Sequence, residues 1–322
     1  MVSCPISQQV PYLMNTRTIR IATRQSPLAL WQANHVREQL LKQWPGIAIE
    51  LLPMVTSGDK FLKDKLLVEG GKGLFVKELE EALLDKRADI AVHSTKDMPA
   101  QLPEGLYLAA ICKRHNPFDA LISKNHSSLA ALPQQAIVGT SSLRRQSQLL
   151  AYRPDLHIKT LRGNINTRLA KLEAGEYDAI ILAAAGLERM NMQDAITEYL
   201  SDEMMLPACG QGALCIECRT DDPEIQHIIN SLNDPLSALC VHAEREVNAQ
   251  LGGNCHVPLA VFCTATSENT LFLRARILSL DGTQTLFASQ SGTLNEAQQI
   301  ADACTHALIQ QGAMNLLHSI PL

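Results

Sequence analysis

Asp89-Ile90-Ala91-Val92-His93-Ser94-Thr95-Lys96-Asp97-Met98-Pro99 decides how the chain is read. Ile90 to Val92 is a short apolar run, the pattern of a strand buried on both faces. It breaks off into an imidazole, a hydroxyl, an ammonium and a carboxylate: His93, Ser94, Lys96 and Asp97. In open α/β sheets the ligand crevice lies beyond the carboxyl ends of the strands. Chemistry-bearing side chains therefore stand where a site is expected. The plainer alternative is a strand running into a polar loop, with Asp97 capping the next turn.

Upstream, Thr18 to Thr23 alternates as a first strand, followed by Arg24, Ser26 and Pro27. Ser26 as N-cap with Pro27 at the first helical position starts a helix. Its apolar stripe is Ala29, Ala33, Val36 and Leu40, and Pro45-Gly46 stops it. Arg24 and Ser26 thus sit at a strand-to-helix turn, where free backbone N–H groups attract anions. Equally, Ser26 as a simple cap and Arg24 as a solvated residue would fit. Ile47 to Val55 reads as a second strand, and the charged stretch Ser57 to Lys65 as mobile. Gly70-Gly71-Lys72-Gly73 precedes an amphipathic helix with Phe75, Leu79 and Leu83 on one stripe. The glycine run lacks the G-x-x-x-x-G-K-[ST] pattern of an ATP loop, and serves as an anion loop or a lid hinge.

Downstream, Leu106 to Cys112 and Ala120 to Ser123 read as strands. Then Ala136–Val138, His157–Leu161 and Asp178–Leu182 each lead into a turn and a helical stretch. Three such units in series predict a second α/β domain around a parallel sheet. Residues 144–171 hold Arg144, Arg145, Arg153, Lys159, Arg162, Arg168 and Lys171 against one acid, Asp155. Cations in a helix's first turn oppose its dipole by about 0.3–1 kcal/mol. An anion bound between the arginines and the N–H groups would offset that cost, and arginine's planar fork suits carboxylate or phosphate. The alternative is a solvated basic face. Nucleic acid fits poorly, because no aromatics interleave for stacking.

Ala213 to Glu217, after Gly210-Gln211-Gly212, reads as a strand that returns once the second domain is complete. That predicts a double crossover between two lobes. From Pro235 a smaller α+β domain begins: a helix over roughly Ser237–Leu251, a loop Gly252-Gly253-Asn254-Cys255-His256, strands at Leu259–Ala265 and Leu271–Leu280, a hairpin signal at Asp281-Gly282, and a helix near Ala297–Gln310. Cys255 is presented by its glycine-rich loop, where most single cysteines are inert and buried. The expected organisation is an N-terminal tail (1–16), a first α/β domain (17–112 with 213–232), a second (113–212) and the α+β domain (233–322).

The 322 residues suffice for two or three domains. At 46% hydrophobic and 19% charged, the balance is that of a globular protein. No run approaches the ~20 apolar residues of a membrane span. The formal charge of −5 argues against non-specific nucleic-acid binding. Nine scattered cysteines suit a reducing cytoplasm better than a disulfide framework. Cys215 and Cys218 form a lone C-x-x-C on a strand, too little for a metal or redox site. Residues 1–13 lack periodicity and a secretory pattern, and are expected to be dispensable, activity surviving in a chain that starts at Met14.

In order, the chain contains Arg24-Gln25-Ser26-Pro27-Leu28-Ala29-Leu30-Trp31-Gln32, Gly70-Gly71-Lys72-Gly73-Leu74-Phe75, His93-Ser94-x-Lys96-Asp97, Gly139-Thr140-Ser141-Ser142-Leu143-Arg144-Arg145, Arg162-Gly163-Asn164 and Gly210-Gln211-Gly212. From about Arg17 to the C-terminal helix it closely resembles the porphobilinogen deaminases, or hydroxymethylbilane synthases. The resemblance implies two periplasmic-binding-protein-like lobes with a double crossover, and a third α+β domain. It implies a transferase of tetrapyrrole (haem) biosynthesis that joins four porphobilinogen molecules head to tail with loss of ammonia, then hydrolyses the product to hydroxymethylbilane. By the same resemblance, a dipyrromethane cofactor is thioether-linked to Cys255 and held by Lys96, Ser142, Arg144 and Arg145. Asp97 is the catalytic residue, and Arg24, Ser26, Arg162, Arg168 and Arg189 bind substrate. A cytoplasmic monomer with no metal, membrane or nucleic-acid partner is implied. Asn254 stands where the family has glycine, and Asn tolerates positive φ. Thr95 replaces an apolar residue and should alternate away from its functional neighbours. A non-catalytic bilobed binding protein would explain the lobes and arginines, but not Asp97 beside Lys96 or a third domain presenting a cysteine.

Overall fold

The chain crosses between its lobes twice, and the crossings set everything else. The computed structural model describes residues 17–58, 75–253, 257–266 and 269–320. The tail 1–16, most of the charged stretch after Ser57, the run Gly70–Gly73, and Asn254, Cys255 and His256 lie outside the described residues.

In the first lobe, β1 (Thr18–Arg24) leads into α1 (Pro27–Gln43), β2 (Ala48–Met54), α2 (Lys77–Leu84), β3 (Ile90–Ser94) and β4 (Leu106–Ile111). The predicted start of α1 is observed: the Ser26 hydroxyl accepts from Ala29 N at 3.3 Å with Pro27 behind it. β1 runs parallel to both β2 and β3. Its alternation sends Ile19 and Ile21 against Val36 and Leu40 of α1, and Ala22 against Leu79 and Leu83 of α2. The strand is therefore covered on both faces.

The second lobe holds β5 (Asp119–Ile122), β6 (Ile137–Gly139), α3 (Leu143–Tyr152), β7 (His157–Lys159), α4 (Ile165–Glu173), β8 (Ala179–Ala183), α5 (Ala184–Arg189) and β9 (Glu198–Tyr199). The sheet order is β7-β6-β8-β5-β9. β6, β7 and β8 form the expected parallel core, while β5 runs antiparallel to β8 and β9. The chain then returns as β10 (Leu214–Arg219), which inserts antiparallel between β3 and β4. This is the double crossover. Cys215 and Cys218 alternate to opposite faces of β10, both buried and unpaired, so the C-x-x-C converges on nothing.

Then come α6 (Pro223–Asn230), α7 (Pro235–Gln250), and the antiparallel strands β11 (Leu259–Ala265), β12 (Thr270–Leu278) and β13 (Thr285–Thr293), with α8 (Ala297–Gln310) and α9 (Ala313–His318). Val247 from α7, and Ile300 and Leu308 from α8, close the core over Val261, Leu273 and Ala275. α6 and α9 were not read from the sequence. α9 is only six residues long, while α6 carries a legible Asp222–Pro223 start. The hairpin Asp281-Gly282 turns as predicted, with Gly282 at φ +73°. It lies on the backbone of α3, where a Cβ at Gly282 would come within 2.3 Å of Ala151 N.

One buried carboxylate ties the three parts. Glu244 of α7 takes both Nη atoms of Arg114 at 2.6 and 3.0 Å, the Gly210 N–H at 2.6 Å and the Cys263 N–H at 2.8 Å. Arg114 lies on the outward crossing, Gly210 on the return, and Cys263 on β11. Truncating one partner of such a buried pair leaves the other charge uncompensated. Glu244→Ala should therefore lose roughly 3–5 kcal/mol, read as a fall in unfolding midpoint, with Glu244→Gln falling between it and the parent.

Candidate active site

Asp97 ends the single helical turn Thr95–Asp97 that follows β3. Its carboxylate is exposed and makes no hydrogen bond or ion pair with any described residue, so it does not cap the turn. Beside it is a pocket lined by Arg24, Ser26, Gln32, Phe75, His93 and Ser94, among others. The carboxyl ends of β1 and β3 therefore deliver their polar residues to one place. Ser26 caps α1 and also faces the pocket. The Arg24 guanidinium stacks 4.2 Å from the Phe75 ring centroid, and Gln32 Nε2 donates to Ser94 Oγ at 2.8 Å. Thr95 is buried and turned away from this pocket, as its alternation predicts.

Behind Asp97 runs a charged chain that crosses the lobes. Lys96 Nζ donates to Gln211 Oε1 at 3.3 Å, and Gln211 Nε2 donates to Asp119 Oδ1 at 3.0 Å. Asp119 in turn accepts from Arg144 Nη2 at 2.7 Å, and from Arg145 Nη2 and Nε at 2.7 and 3.1 Å. Arg144 also holds the Leu206 carbonyl and Arg145 the Ile181 carbonyl. Both arginines are buried, which overturns the solvated-face alternative for this pair. Burial raises the pKa of Asp119, but Arg144, Arg145 and Lys96 outweigh it and hold the carboxyl well below the usual range. Burial and then the Arg145 charge push Lys96 down to about 8, against the pull of Asp97 and Asp119. Three cations thus surround one buried anion. The set is short of negative charge and suits a ligand bearing carboxylates.

The remaining predicted residues are placed as follows. Ser142 caps α3, its hydroxyl accepting from Arg145 N at 3.4 Å. Arg162 is exposed in the turn before α4. Arg168 Nε donates to the Gly163 carbonyl at 2.7 Å. Burial first and then Arg145 depress its pKa to about 10, while Asp97 raises it, so Arg168 lies within electrostatic reach of both. Arg189 is buried at the return crossing, with Nη2 on the Gly212 carbonyl at 2.7 Å. Arg153, counted in the basic stretch, is instead engaged with Asp155 and with the carbonyls of Leu129, Leu132 and Pro133. Residues on either side of the Cys255 loop, Leu251 and Val257, pack in the cluster that also takes Leu143, neighbour of Ser142 and Arg144. Among the described residues no group of three or more His, Cys, Asp or Glu is arranged to hold a metal, and no helix is long and apolar enough to cross a membrane.

Sequence reasoning missed Asp119 and left Gln211 without a role. Asp119 opens a short apolar strand and looks like a loop acid. Its only signal is the unbalanced arginine pair, which requires a counter-charge. Gln211 sits between two glycines at φ +68° and +87°, and that tight setting was the available sign that its side chain is aimed.

The family model for the "Porphobilinogen deaminase, dipyromethane cofactor binding domain" matches residues 19–227, and that for the "Porphobilinogen deaminase, C-terminal domain" matches residues 238–310. Among curated proteins, the porphobilinogen deaminases of Legionella pneumophila strains Lens and Paris are each 72% identical over 308 residues, covering 96% of this chain and 100% of the relative. A solved structure of a probable amino-acid ABC transporter extracellular-binding protein, ytmK from Bacillus subtilis, aligns with a TM-score of 0.43 at 14% identity, over 68% of this chain and 90% of that one.

Asp119→Asn would leave Arg144, Arg145 and Lys96 without their buried anion. The variant should lose roughly 3–5 kcal/mol in denaturant unfolding. A carboxylate-bearing ligand should restore part of the loss, because whatever binds the folded state stabilises it.

Proposed function

Because the chain belongs to the porphobilinogen deaminase family, which condenses four porphobilinogen molecules head to tail with loss of ammonia and hydrolyses the product to hydroxymethylbilane, we propose that Asp97 is its catalytic residue and that the arginines of both lobes hold the substrate carboxylates. The observation that carries this reading is a free carboxylate, Asp97, standing beside an excess of buried cations. The enzyme is a transferase of tetrapyrrole synthesis that works with a dipyrromethane cofactor. The residues present fit that group. Its acetate and propionate carboxylates supply the negative charge that Lys96, Arg144 and Arg145 lack, with Ser142 at the same helix start. Cys255 is assigned as the thioether attachment, since the residues flanking its loop, Leu251 and Val257, belong to the same packed cluster as Leu143. When bound, the cofactor offers the pyrrole carbon to which the first substrate is joined.

Arg24 and Ser26 face the pocket, Arg168 of the second lobe lies within electrostatic reach of Asp97, and Arg162 offers an exposed guanidinium in the turn before α4. Together they are proposed to take the acetate and propionate groups of incoming substrate. Arg189 adds its charge from the return crossing. Loss of ammonia leaves a cationic substrate, and an ionised Asp97 stabilises it through the pyrrole N–H. After the next bond forms, the same carboxylate accepts the proton that must leave. We assign the cleft to the two lobes at 17–112 with 213–232 and at 113–212, and the cysteine to the unit from 233 onwards. Since one chain supplies every residue invoked, a monomer is the proposed working unit, placed in the cytoplasm on the strength of its scattered, unpaired cysteines.

Asp97→Asn keeps a hydrogen-bond acceptor but loses the charge and the proton transfer. It should fold and bind substrate, yet release ammonia roughly 10²–10⁴-fold more slowly in single turnovers. A near-normal rate would return Asp97 to a structural part. Separately, the intact mass of the active protein should exceed that of the sequence by two linked pyrrole units, and Cys255→Ser should abolish the excess. An unmodified mass in active enzyme would overturn the attachment.

A further inference from the structure

Behind the pocket wall lie two acids that the reading above does not use. Glu217 of β10 is fully buried, and Glu80 of α2 nearly so. Glu217 pairs across the ladder with Ala91, and His93 with Cys215, so Glu217 and His93 are diagonal neighbours on one face of the sheet. His93 Nε2 lies 3.1 Å from Glu217 Oε2, and His93 borders the pocket together with Asp97. The other oxygen of Glu217 and Oε1 of Glu80 are both buried with no hydrogen-bond partner among the described residues. An ionised carboxylate only accepts hydrogen bonds, and two such orphans without a donor are costly.

Among the described residues no cation relieves them. Of the strands against α2, β1 brings Arg24, which is stacked on Phe75. β3 brings His93, and β10 brings Glu217 and Arg219, whose Nη1 is taken by the carbonyls of Leu83 and Ala88. β4 brings Tyr107, bonded to Cys218, which alternates to the sheet face opposite Glu217. On α2 itself, Glu78 is bonded to Ser57 and the exposed Glu81 faces Lys77. A proton held between the two carboxyls would supply the missing donor.

We propose that Glu80, Glu217 and His93 form a proton-holding cluster behind the pocket, in which one proton sits on the carboxyl pair and His93 is the positioning residue through which the pair acts on the pocket. Glu80 carries the proton, and Glu217 accepts from the Nε2–H of His93 and so fixes its ring. Burial first, then the Glu217 charge, push Glu80 up to about 7 from an ordinary 4.5, with His93 pulling the other way. Since the folded value lies above the ordinary one, the favourable state is complete below about pH 4.5 and is lost as pH rises through about 7. Above that, two buried carboxylates repel. The strain falls on His93 and on α2, whose Leu79, with Val76 at its N-cap, lines the same pocket.

Difference infrared spectroscopy on holoenzyme carrying isotope-labelled glutamate reads the proton directly, and kcat and KM against pH read its effect. A protonated buried carboxyl should be present at about pH 6, vanish as pH rises through about 7, and be missing in Glu80→Gln. In Glu217→Gln it should vanish at least about one pH unit lower, the like charge being gone. Parent kcat should change across the same window with KM little altered, and Glu80→Gln should be flat there. No such carboxyl in the parent, or the same midpoint in Glu217→Gln, overturns the cluster. Identical pH profiles for parent and Glu80→Gln overturn its action through His93. If Glu80→Gln does not fold, the parent and Glu217→Gln spectra decide. The kinetic arm rests on assigning the pocket to the reaction, whereas the infrared arm does not, so the two failures are told apart.

Discussion

The structure hangs on the burial of Glu244. A carboxylate removed from water is tolerable only when every lone pair finds a donor. Glu244 finds a guanidinium and two backbone N–H groups, each from a different part of the chain. The arrangement makes the third domain a brace across the hinge of the other two. Arg245 strengthens the brace by donating to the Pro99 carbonyl, just past Asp97. The Gly282 hairpin extends it to α3, the helix bearing Arg144 and Arg145. The helix that bears Arg144 and Arg145 is thus held from the domain whose sequence contains Cys255.

The cleft is built on the opposite principle. Glu244 is fully balanced, whereas Asp119 is outnumbered by the cations around it. An excess of buried positive charge is unfavourable in the protein alone, and its value lies in binding. A ligand bearing carboxylates neutralises what the chain leaves open. Asp97, in contrast, is exposed and has no fixed partner among the described residues, as its proposed role requires.

What the sequence made legible was local. Ser26-Pro27 announced α1, Asp281-Gly282 announced the hairpin, and the polar break after Val92 announced the site. The return of β10 was legible because an apolar run followed a finished domain. Contacts between distant residues were not. Asp119 meets Arg144 and Arg145 only after β5 is paired antiparallel with β8, and no periodicity states that pairing. Glu80 stands in the charged run Lys77-Glu78-Leu79-Glu80-Glu81, beside the apolar stripe, yet it turns inward while Glu81 stays out. Glu217 and Glu244 sit among apolar neighbours and look like errors of pattern until their partners are known. Arg153 was misgrouped for a related reason: charge density along the chain does not say which face a guanidinium leaves by.

The insertion of β10 between β3 and β4 also dictates the order in which the molecule can be completed as it is made. When β4 leaves the ribosome, the slot beside β3 has no occupant, and none exists until the whole second lobe has been synthesised. The nascent first lobe therefore waits with two apolar strand edges unpaired, the state in which chains misassociate. Lobe two, whose strands are contiguous in sequence, is free to close first, although it is made later. The topology thus lets the second sheet be completed before the first, against the order of synthesis. The segment with most to gain from chaperone protection is its N-terminal third.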